Sequence, residues 1–364
     1  ESITPLDEGC QDLVATRLKK LGFAIKHLPF GEVSNLWATY GKGEKTLTLL
    51  GHTDVVPTGP IEKWTNDPFE PTERDGLLFG RGAADMKGSV AAFVVAAEEF
   101  CKKNPNPKGR LSIMLTSDEE GPAKDGVRKV IKYLTDLGEK IDWCLVGEPT
   151  AEKQLGDVIK IGRRGSITGY LTVFGTQGHA AYPHDANNPA PVMTKILDQI
   201  ENTKLDKGTK NFQPSNLEVV KINIENTADN VIPAEATATF NIRFNNKHSS
   251  GSLRKKLNNI FRKACKKSKC SFKISYMVSG EAFITVPNKT TKMIQNTIKK
   301  ITKIKPKLST SGGTSDARFI RKISPCVEFG LVGKTMHKVD EAVSVSDLKK
   351  LTHIYQSILI NYFS

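Results

Sequence analysis

The sequence has few cysteines, and none of them forms a Cys-x-x-Cys motif. Six cysteines are scattered along 364 residues, namely Cys10, Cys101, Cys144, Cys265, Cys270 and Cys326. This spacing excludes a zinc ribbon, and a disulfide framework is not expected in a chain of this length. We therefore expect a reducing compartment, the cytoplasm.

A long apolar run is also missing. The longest, around residues 90–97, is far too short to span a bilayer, and no apolar signal segment opens the chain. We therefore expect no membrane partner. Because the first residue is Glu1 rather than Met, we also expect that part of the native start precedes it.

Acidic residues are outnumbered by basic ones, 39 against 53, which gives a formal net charge of +14. Such a positive charge is typical of proteins that bind nucleic acid, so nucleic acid is one candidate partner. The densest basic cluster, residues 254–269, shares a segment with Leu253, Leu257 and Phe261, which fall on one helical face. A solvated helix face accounts for the cluster, so no nucleic acid is expected. A positive field would also attract an anionic small-molecule substrate.

One short loop carries a single acidic residue, Asp85, between glycines. Residues 80–88 read Gly-Arg-Gly-Ala-Ala-Asp-Met-Lys-Gly, and apolar residues at helical spacing follow as far as Phe100. Glycines permit a positive φ and close approach, and a helix start contributes a positive end. Taken alone, the loop is typical of a helix start with a solvated aspartate. The alternative is that Asp85 holds a metal ion with each of its two oxygens.

Further polar clusters follow predicted strands. The strand at 46–50 leads to His52 and Asp54, the strand at 111–116 to Glu119 and Glu120, and the strand at 141–146 to Glu148. Strands that alternate with helices predict an α/β sheet, which places ligands at the carboxyl ends of its strands. Residues two apart share a face of a strand, so the Asp54 carboxylate could bind one His52 nitrogen and leave the other for a metal.

The middle of the chain has a different pattern. Residues 165–279 contain Thr- and Val-rich strands and two helices without acidic loops between them. This predicts an inserted small α+β domain. The catalytic domain would then comprise residues 1–164 and 280–364, and its last part supplies His337.

The candidate ligands indicate a hydrolytic metal centre. Two histidines with Asp85, Glu120 and Glu148 are too many donors for one tetrahedral zinc and about right for two ions. Two such ions would lie roughly 3.5–4 Å apart and lower the pKa of water towards about 7. Hydrolysis of an amide or ester is implied, with Glu119 as the general base.

The motifs resemble the dinuclear zinc aminoacylase and carboxypeptidase family over nearly the whole chain. They are His-Thr-Asp-Val-Val-Pro, Gly-Arg-Gly-Ala-Ala-Asp-Met-Lys-Gly, Asp-Glu-Glu-Gly, Gly-Glu-Pro-Thr and Met-His-Lys. The resemblance implies a zinc-peptidase-like catalytic domain with a mixed sheet flanked by helices, and an inserted small α+β dimerisation or lid domain. It also implies a homodimer, a cis peptide after Asp85, and two Zn²⁺ per subunit with Co²⁺ possible in one site.

Roles for single residues follow from the same resemblance. Asp85 would bridge the metals, with His52 and Glu148 completing one site. Glu120 and His337 would complete the other. The general base would be Glu119, and the partner of the His52 ring would be Asp54.

Three motifs lie in and beside the inserted segment, namely Gly-Arg-Arg-Gly-Ser at 162–166, Gln-Gly-His-Ala-Ala-Tyr-Pro-His at 177–184 and Asn-Val-Ile-Pro at 230–233. Together with Arg243, they resemble those of the family branch that removes succinyl groups. By this resemblance His179 would reach the partner subunit's site and stabilise the oxyanion. The implied substrate-binding residues are Arg163, Ser166, Tyr182, Asn230, Arg243, Gly313 and Thr314. Guanidinium groups suit a substrate with several carboxylates, because they bind carboxylates bidentately. Arg163 and Arg164 could instead be charges on an edge strand that limit aggregation.

The expected activity is therefore metal-dependent hydrolysis of N-succinyl-LL-2,6-diaminopimelate to succinate and LL-2,6-diaminopimelate, a step of lysine and diaminopimelate biosynthesis. An N-acetylornithine deacetylase, or a related aminoacylase or dipeptidase, would use the same metal site with another pocket. A basic nucleic-acid-binding protein is a more distant alternative, and it leaves the ligand set unexplained.

Overall fold

The computed structural model describes residues 1–226, 228–266 and 268–364; Thr227 and Lys267, the latter in the basic cluster, lie outside them. The helices are α1 (Cys10–Lys19), α2 (Gly88–Lys103), α3 (Val127–Asp136), α4 (Pro189–Glu201), α5 (Ser250–Lys266), α6 (Lys289–Thr302), α7 (Ala317–Ile320) and α8 (Val345–Phe363). None of the described helices is long and apolar enough to cross a membrane.

The strands, which are mostly short, are β1 (Ala24–His27), β2 (Asn35–Tyr40), β3 (Thr46–His52), β4 (Thr72–Arg74), β5 (Leu77–Phe79), β6 (Arg110–Thr116), β7 (Trp143–Val146), β8 (Val158–Lys160), β9 (Gly162–Arg163), β10 (Gly165–Phe174), β11 (Gly178–His179), β12 (Asn216–Asn223), β13 (Val231–Ile232), β14 (Glu235–Phe244), β15 (Ser271–Gly280), β16 (Phe283–Ile284), β17 (Lys307–Ser309), β18 (Cys326–Glu328) and β19 (Ala342–Ser344). Short helical turns lie at Ile61–Lys63 and Pro183–Asp185, and a turn with non-helical dihedral angles at Asp85 and Met86 spans Ala83–Lys87.

The chain divides into two compact units. The first comprises Glu1–Gly162, Thr285–Ser309 and Ser315–Ser364, and the second comprises Arg163–Ile284 and Thr310–Thr314. The predicted boundaries lie after residues 164 and 279, a few residues from where the chain changes unit. Residues 310–314, which the sequence analysis placed in the catalytic domain, group here with the second unit.

A mixed sheet forms the centre of the first unit. Among the described residues its strand order is β1-β2-β6-β3-β7-β18-β8-β17. Strands β6 and β7 both pair in parallel with β3, while β1, β2 and β6 pair antiparallel. Every residue of β3 is buried. Because the strand is covered on both faces, the threonines that alternate with leucines in residues 46–49 are buried as well, and the Thr48 hydroxyl lies 2.7 Å from that of Ser112. The predicted mixed sheet flanked by helices is confirmed.

Helices of the first unit pack through apolar faces. Ten of the 16 residues of α2 are buried, and Val90, Phe93, Ala97 and Phe100 among them are spaced by three or four positions along one face. This face packs against α8, where the Phe93 ring lies 4.5 Å from that of Tyr355. The Ser344 hydroxyl caps α8 by accepting a hydrogen bond from the Asp347 amide.

The sheet brings three polar loops to one edge. Strands β3, β6 and β7 run parallel, so their carboxyl ends point the same way. They end at His52, Thr116 and Val146, and the predicted acidic clusters begin within two residues of each end. The position of the site therefore follows from the parallel pairing of these strands.

The second unit has a sheet with one covered face. Its strand order among the described residues is β12-β14-β10-β15, and every pair is antiparallel. Alternate residues of β14 are buried, as expected for a strand with one face towards a core. Helices α4 and α5 pack on that face, and Phe240 and Phe261 lie in the shared core. The strands and helices predicted for residues 165–279 correspond to β10, α4, β12, β14, α5 and β15.

Several short elements were not predicted. Strands β4, β5 and β19 form a small antiparallel sheet, and β8, β17 and α7 each span three or four residues. A period of two or 3.6 residues cannot be recognised in so few positions. These elements are therefore defined by tertiary pairing rather than by local pattern.

Candidate metal centre

The carboxylate of Asp85 lies between two imidazole rings. Its Oδ1 is 3.2 Å from Nε2 of His52, and its Oδ2 is 3.3 Å from Nε2 of His337. The same His337 nitrogen lies 2.9 Å from Oε1 of Glu120. Each oxygen of Asp85 thus faces a different histidine, which is the arrangement that a carboxylate bridging two cations requires.

The candidate ligands fall into three overlapping groups whose ligand atoms lie within 4.8 Å of one another. The groups are His52 with Asp85 and Glu148, Asp85 with Glu120 and His337, and His52 with Glu119 and Glu120. Asp85 belongs to the first two groups. The structure therefore brings together all five predicted metal ligands and the predicted base.

The loop that carries Asp85 has an irregular backbone. Gly82 adopts φ 84°, a left-handed conformation that favours glycine. Asp85 itself has φ −124° and ψ 95°, which is extended rather than helical, and helix α2 starts three residues later. The Asp85–Met86 peptide is cis, as the family resemblance implied. The side chain of Asp85 is therefore presented from an extended segment rather than from a helix.

His52 and Asp54 are both buried, and they contact each other in two ways. Nδ1 of His52 lies 2.9 Å from the carbonyl oxygen of Asp54 and 3.5 Å from its Oδ1. The carboxylate of Asp54 also accepts hydrogen bonds from the amides of Glu119 and Glu120, at 3.3 and 3.0 Å. Asp54 therefore orients the His52 ring and connects it to the loop of the candidate base.

Two of the carboxyl groups favour the protonated state. Burial raises the pKa of Glu119 well above the usual 4.5, and the charges of Asp316 and Glu120 add to this shift against that of His52. Burial likewise raises the pKa of Glu148, reinforced by the charges of Glu119 and Asp85. The cluster thus holds more negative charge than its own histidines compensate.

The bridging carboxylate and both histidines favour their charged states. Burial opposes ionisation of Asp85, but hydrogen bonds from His337 and His52 outweigh it and lower the pKa of Asp85. Burial also opposes a charge on His52, whose pKa is nevertheless raised by Asp54 and Asp85. Hydrogen bonds to Asp85 and Glu120 raise the pKa of His337 to about 10. The cluster therefore stabilises positive charge at two neighbouring positions.

The donor chemistry fits two divalent cations. Imidazole nitrogens and carboxylate oxygens are ligands of zinc, and cobalt accepts the same set. Binding would require neutral imidazoles and ionised carboxylates, so metal ions would replace the protons that these groups hold. The positive charge of the ions would then compensate the negative charge of the crowded carboxylates.

Predicted residues of the second unit lie in two environments. Ser166 and Arg243 are register partners on β10 and β14, and Nε of Arg243 donates to the Asn241 side chain. Arg163 is buried, and its Nη1 donates to the carbonyl of Gly313 at 3.3 Å. A Cβ at Gly312, which has φ 101°, would come within 2.6 Å of that nitrogen. Arg163 thus holds the glycine loop that precedes Thr314.

The other predicted residues of this unit are exposed. The imidazole Nε2 of His179 lies 3.4 Å from the Asn230 side-chain nitrogen, and its ring lies 5.5 Å from that of Tyr182. All three side chains are solvent-exposed. Nδ1 of His179 also accepts a hydrogen bond from the Ala181 amide at 3.0 Å, whereas the contacts described for the Tyr182 side chain are with neighbouring rings.

Three further residues of the first unit, Asp316, Arg81 and Glu341, were given no role by the sequence analysis. Asp316 ends the Gly-Gly-Thr-Ser-Asp run, and burial, with the charges of Asp54 and Asp118, raises its pKa to about 7 against Arg318 and His52. Arg81 and Glu341 are both buried beside the Asp85 loop. Arg81 lies within the glycine-rich motif of residues 80–88, which was the available signal for it, but sequence alone did not show its partner.

The chain matches the model of Peptidase family M20/M25/M40 over residues 48–361. It is 60% identical to a protein of Pelagibacter ubique (strain HTCC1062) named succinyl-diaminopimelate desuccinylase, over 100% of this chain and 96% of that protein.

Two solved structures share the fold. Aminopeptidase PepT from Bacillus cereus has a TM-score of 0.82 at 18% identity, covering 100% of this chain and 95% of its own. The YXEP protein of Bacillus subtilis, described as a dinuclear metal binding peptidase, has a TM-score of 0.76 at 12% identity and covers 100% and 94%.

Proposed function

This chain belongs to Peptidase family M20/M25/M40, and we propose that it hydrolyses the amide of N-succinyl-LL-2,6-diaminopimelate to succinate and LL-2,6-diaminopimelate. The observation that carries the proposal is the Asp85 carboxylate facing two histidines in a protein 60% identical to a succinyl-diaminopimelate desuccinylase. The reaction belongs to lysine and diaminopimelate biosynthesis. Six free cysteines suit a reducing compartment, and we place the enzyme in the cytoplasm.

We assign two Zn²⁺ ions to the centre, with Co²⁺ as a possible substitute in one position. Asp85 is the shared ligand, His52 and Glu148 complete one position, and Glu120 and His337 complete the other. When bound, the ions supply Lewis-acid chemistry that polarises the amide carbonyl and lowers the pKa of water. The protein's part is to fix the donors, which the Asp85 and Asp54 contacts do.

Glu119 acts as the general acid and base in this proposal. Its carboxylate takes a proton from the attacking water and gives it to the departing amine. Burial raises the pKa of Glu119, so the proton can be held between the two transfers. A base works best when its pKa lies near the working pH, and bound cations would bring this raised value down.

Substrate recognition is assigned to the arginines and polar groups of the second unit. The substrate carries several carboxylates, and a guanidinium binds a carboxylate through two parallel hydrogen bonds. Arg243 is half-buried beside Ser166, and Arg163 supports the loop with Gly313 and Thr314. Tyr182 and Asn230 complete the proposed set.

We also propose a homodimer that forms through the second unit. Strand β12 lies at the edge of its sheet, and Val220 and Ile222 on it are 61% and 57% exposed. An uncovered edge strand with apolar side chains is a template for pairing with a second copy. In the dimer, His179 would stabilise the oxyanion in the partner subunit's site.

The first test is a parallel assay of the zinc-loaded protein on N-succinyl-LL-2,6-diaminopimelate and on N-acetylornithine, with and without a chelator. We expect chelator-sensitive release of succinate and little acetate. Acetate release alone would retain the metal centre but contradict the assigned substrate. Turnover that survives complete metal removal would contradict the metal assignment.

A further inference from the structure

We propose that Arg81 and Glu341 form a buried positioning pair that holds the three ligand-bearing loops together and thereby sets the affinity for both metal ions. The inference rests on the metal centre assigned above. Neither residue offers a ligand atom to the groups around Asp85. Both are almost completely buried, with exposures of 5% for Arg81 and 0% for Glu341.

Glu341 binds the backbone of the Asp85 loop. Its Oε1 accepts hydrogen bonds from the amides of Ala84 and Asp85, at 2.8 and 3.0 Å. Its Oε2 accepts from the amide of Gly82 at 3.1 Å and from Nη1 of Arg81 at 2.7 Å. One carboxylate therefore binds three backbone amides within residues 82–85, including that of the bridging ligand itself.

Arg81 reaches the two loops that carry the histidines. Its Nη1 donates to the carbonyl of Lys338, the neighbour of His337, at 3.1 Å. Its Nη2 donates to the carbonyls of Pro57 and Thr58, which follow the His52 loop, both at 3.2 Å. The guanidinium also lies over the Trp64 ring at 5.1 Å. Its planar fork can span these acceptors together, which a single ammonium group cannot do.

The pair thus links every segment that contributes to the bridge. Asp85, His52 and His337 come from positions far apart in the chain, and their side chains must meet within a few tenths of an ångström for a metal to bind. Residues that orient ligands typically change metal affinity by about 10- to 100-fold when they are replaced. Because Asp85 serves both positions, loss of the pair should weaken both ions together.

A purely structural role predicts a different result. A buried ion pair whose one partner is removed can destabilise any protein. Such a loss would lower thermal stability without a specific change in metal affinity. The two possibilities are separated by measuring zinc affinity and local backbone exchange on folded protein.

The experiment compares Glu341→Gln and Arg81→Lys with the unaltered protein. Zinc affinity is measured by competition with a chromophoric chelator, and amide hydrogen exchange is followed in the metal-free proteins. We expect Glu341→Gln to weaken both zinc ions about 10- to 100-fold. We also expect faster exchange confined to residues 53–59, 80–88 and 334–341. Arg81→Lys keeps the charge and should give an intermediate loss, and it serves as the test if Glu341→Gln does not fold.

Two controls accompany these variants. Leu134→Ala removes a buried side chain of α3 away from the pair and should lower thermal stability without changing zinc affinity. Glu139→Gln breaks the partly exposed ion pair with Arg110 and should leave both unchanged. Unchanged zinc affinity in folded Glu341→Gln and Arg81→Lys would overturn the proposal. The unaltered protein reports separately on the proposed function, through its own zinc binding and succinate release.

Discussion

The two units present their polar groups in different ways. In the first unit, His52, Asp85 and Glu148 are buried, and His52 and Asp85 are held by contacts with each other and with neighbouring loops. In the second unit, His179 and Tyr182 are exposed, and the side-chain contacts described for Tyr182 are with the rings of His179 and His184. A buried polar group needs a hydrogen-bond partner within the protein, whereas an exposed side chain can bond to water and change rotamer at little cost. The difference indicates a preorganised candidate metal centre in the first unit and, at exposed positions such as Tyr182, side chains that can change rotamer.

The largest expected effect concerns the candidate metal centre of the first unit. Glu119→Gln keeps the size of the side chain but removes the proton acceptor, so we expect kcat to fall by about 10²- to 10⁴-fold. Zinc content should be unchanged, because the five ligands remain. Initial rates and elemental analysis check both points, with Glu139→Gln as the remote control. Retained turnover would remove Glu119 from the role of base.

A second prediction tests whether an exposed residue of the second unit serves a partner's site. His179→Ala and Glu119→Gln should each be nearly inactive as homodimers. Random exchange of subunits gives one intact site in each mixed dimer, so an equal mixture should recover roughly a quarter of the normal activity. Activity is assayed after dissociation and reassociation. No recovery in mixtures shown to contain mixed dimers would contradict the shared site.

A third prediction tests the substrate-binding role proposed for Arg243 in the second unit. Arg243→Ala removes a guanidinium that we assign to a substrate carboxylate, so KM for the succinyl substrate should rise about 10- to 100-fold. The N-acetyl substrate should be affected less. Steady-state kinetics on both substrates check this, with Arg262→Ala on α5 as a matched arginine control. An equal loss on both substrates would argue against a role in acyl specificity.

The smallest expected effect concerns stability of the second unit. Burial opposes ionisation of Asp206, but hydrogen bonds from Ser215, Gly208 and Asn245 outweigh it and lower its pKa to about 2. A depressed pKa stabilises the folded state above the ordinary value of 3.8, and this stabilisation is lost as pH falls towards 2.

Asp206→Asn should therefore lower the free energy of unfolding at pH 7 by about 1 to 2 kcal/mol, which allows for screening by nearby water. The difference between variant and unaltered protein should shrink as pH falls from about 5 towards 2. Urea titrations at several pH values measure it. A difference that is constant with pH would contradict the assignment to this carboxylate, and zinc affinity should be unchanged throughout.

Long elements of the fold could be predicted because their patterns repeat. The apolar spacing in α2 and the alternation in β14 each extend over enough residues to define a period. Elements such as β17 and α7 contain three or four residues and have no measurable period. They form because neighbouring strands or loops supply hydrogen-bond partners, which sequence spacing does not reveal.

The site shows the same division. His52, Glu119 and Glu148 could be placed in advance because each follows a hydrophobic strand, and parallel strands end at one edge. His52 could be predicted as a partner of Asp54 from its spacing, but the amides of Glu119 and Glu120 could not, since they lie more than 60 residues away. Neither could the contact of Glu341 with the Asp85 loop, because a carboxylate near a chain end has no local pattern.

The sequence by itself determined the kinds of donor, their order and the strands that precede them, because motif chemistry and hydrophobic periodicity are local properties. Only the tertiary structure decided that Asp85 faces two histidines, that Glu119 is buried with a raised pKa, and that Arg81 joins three loops. Distances between segments and the burial of a charge depend on how distant parts of the chain pack together. These properties set the chemistry of the centre.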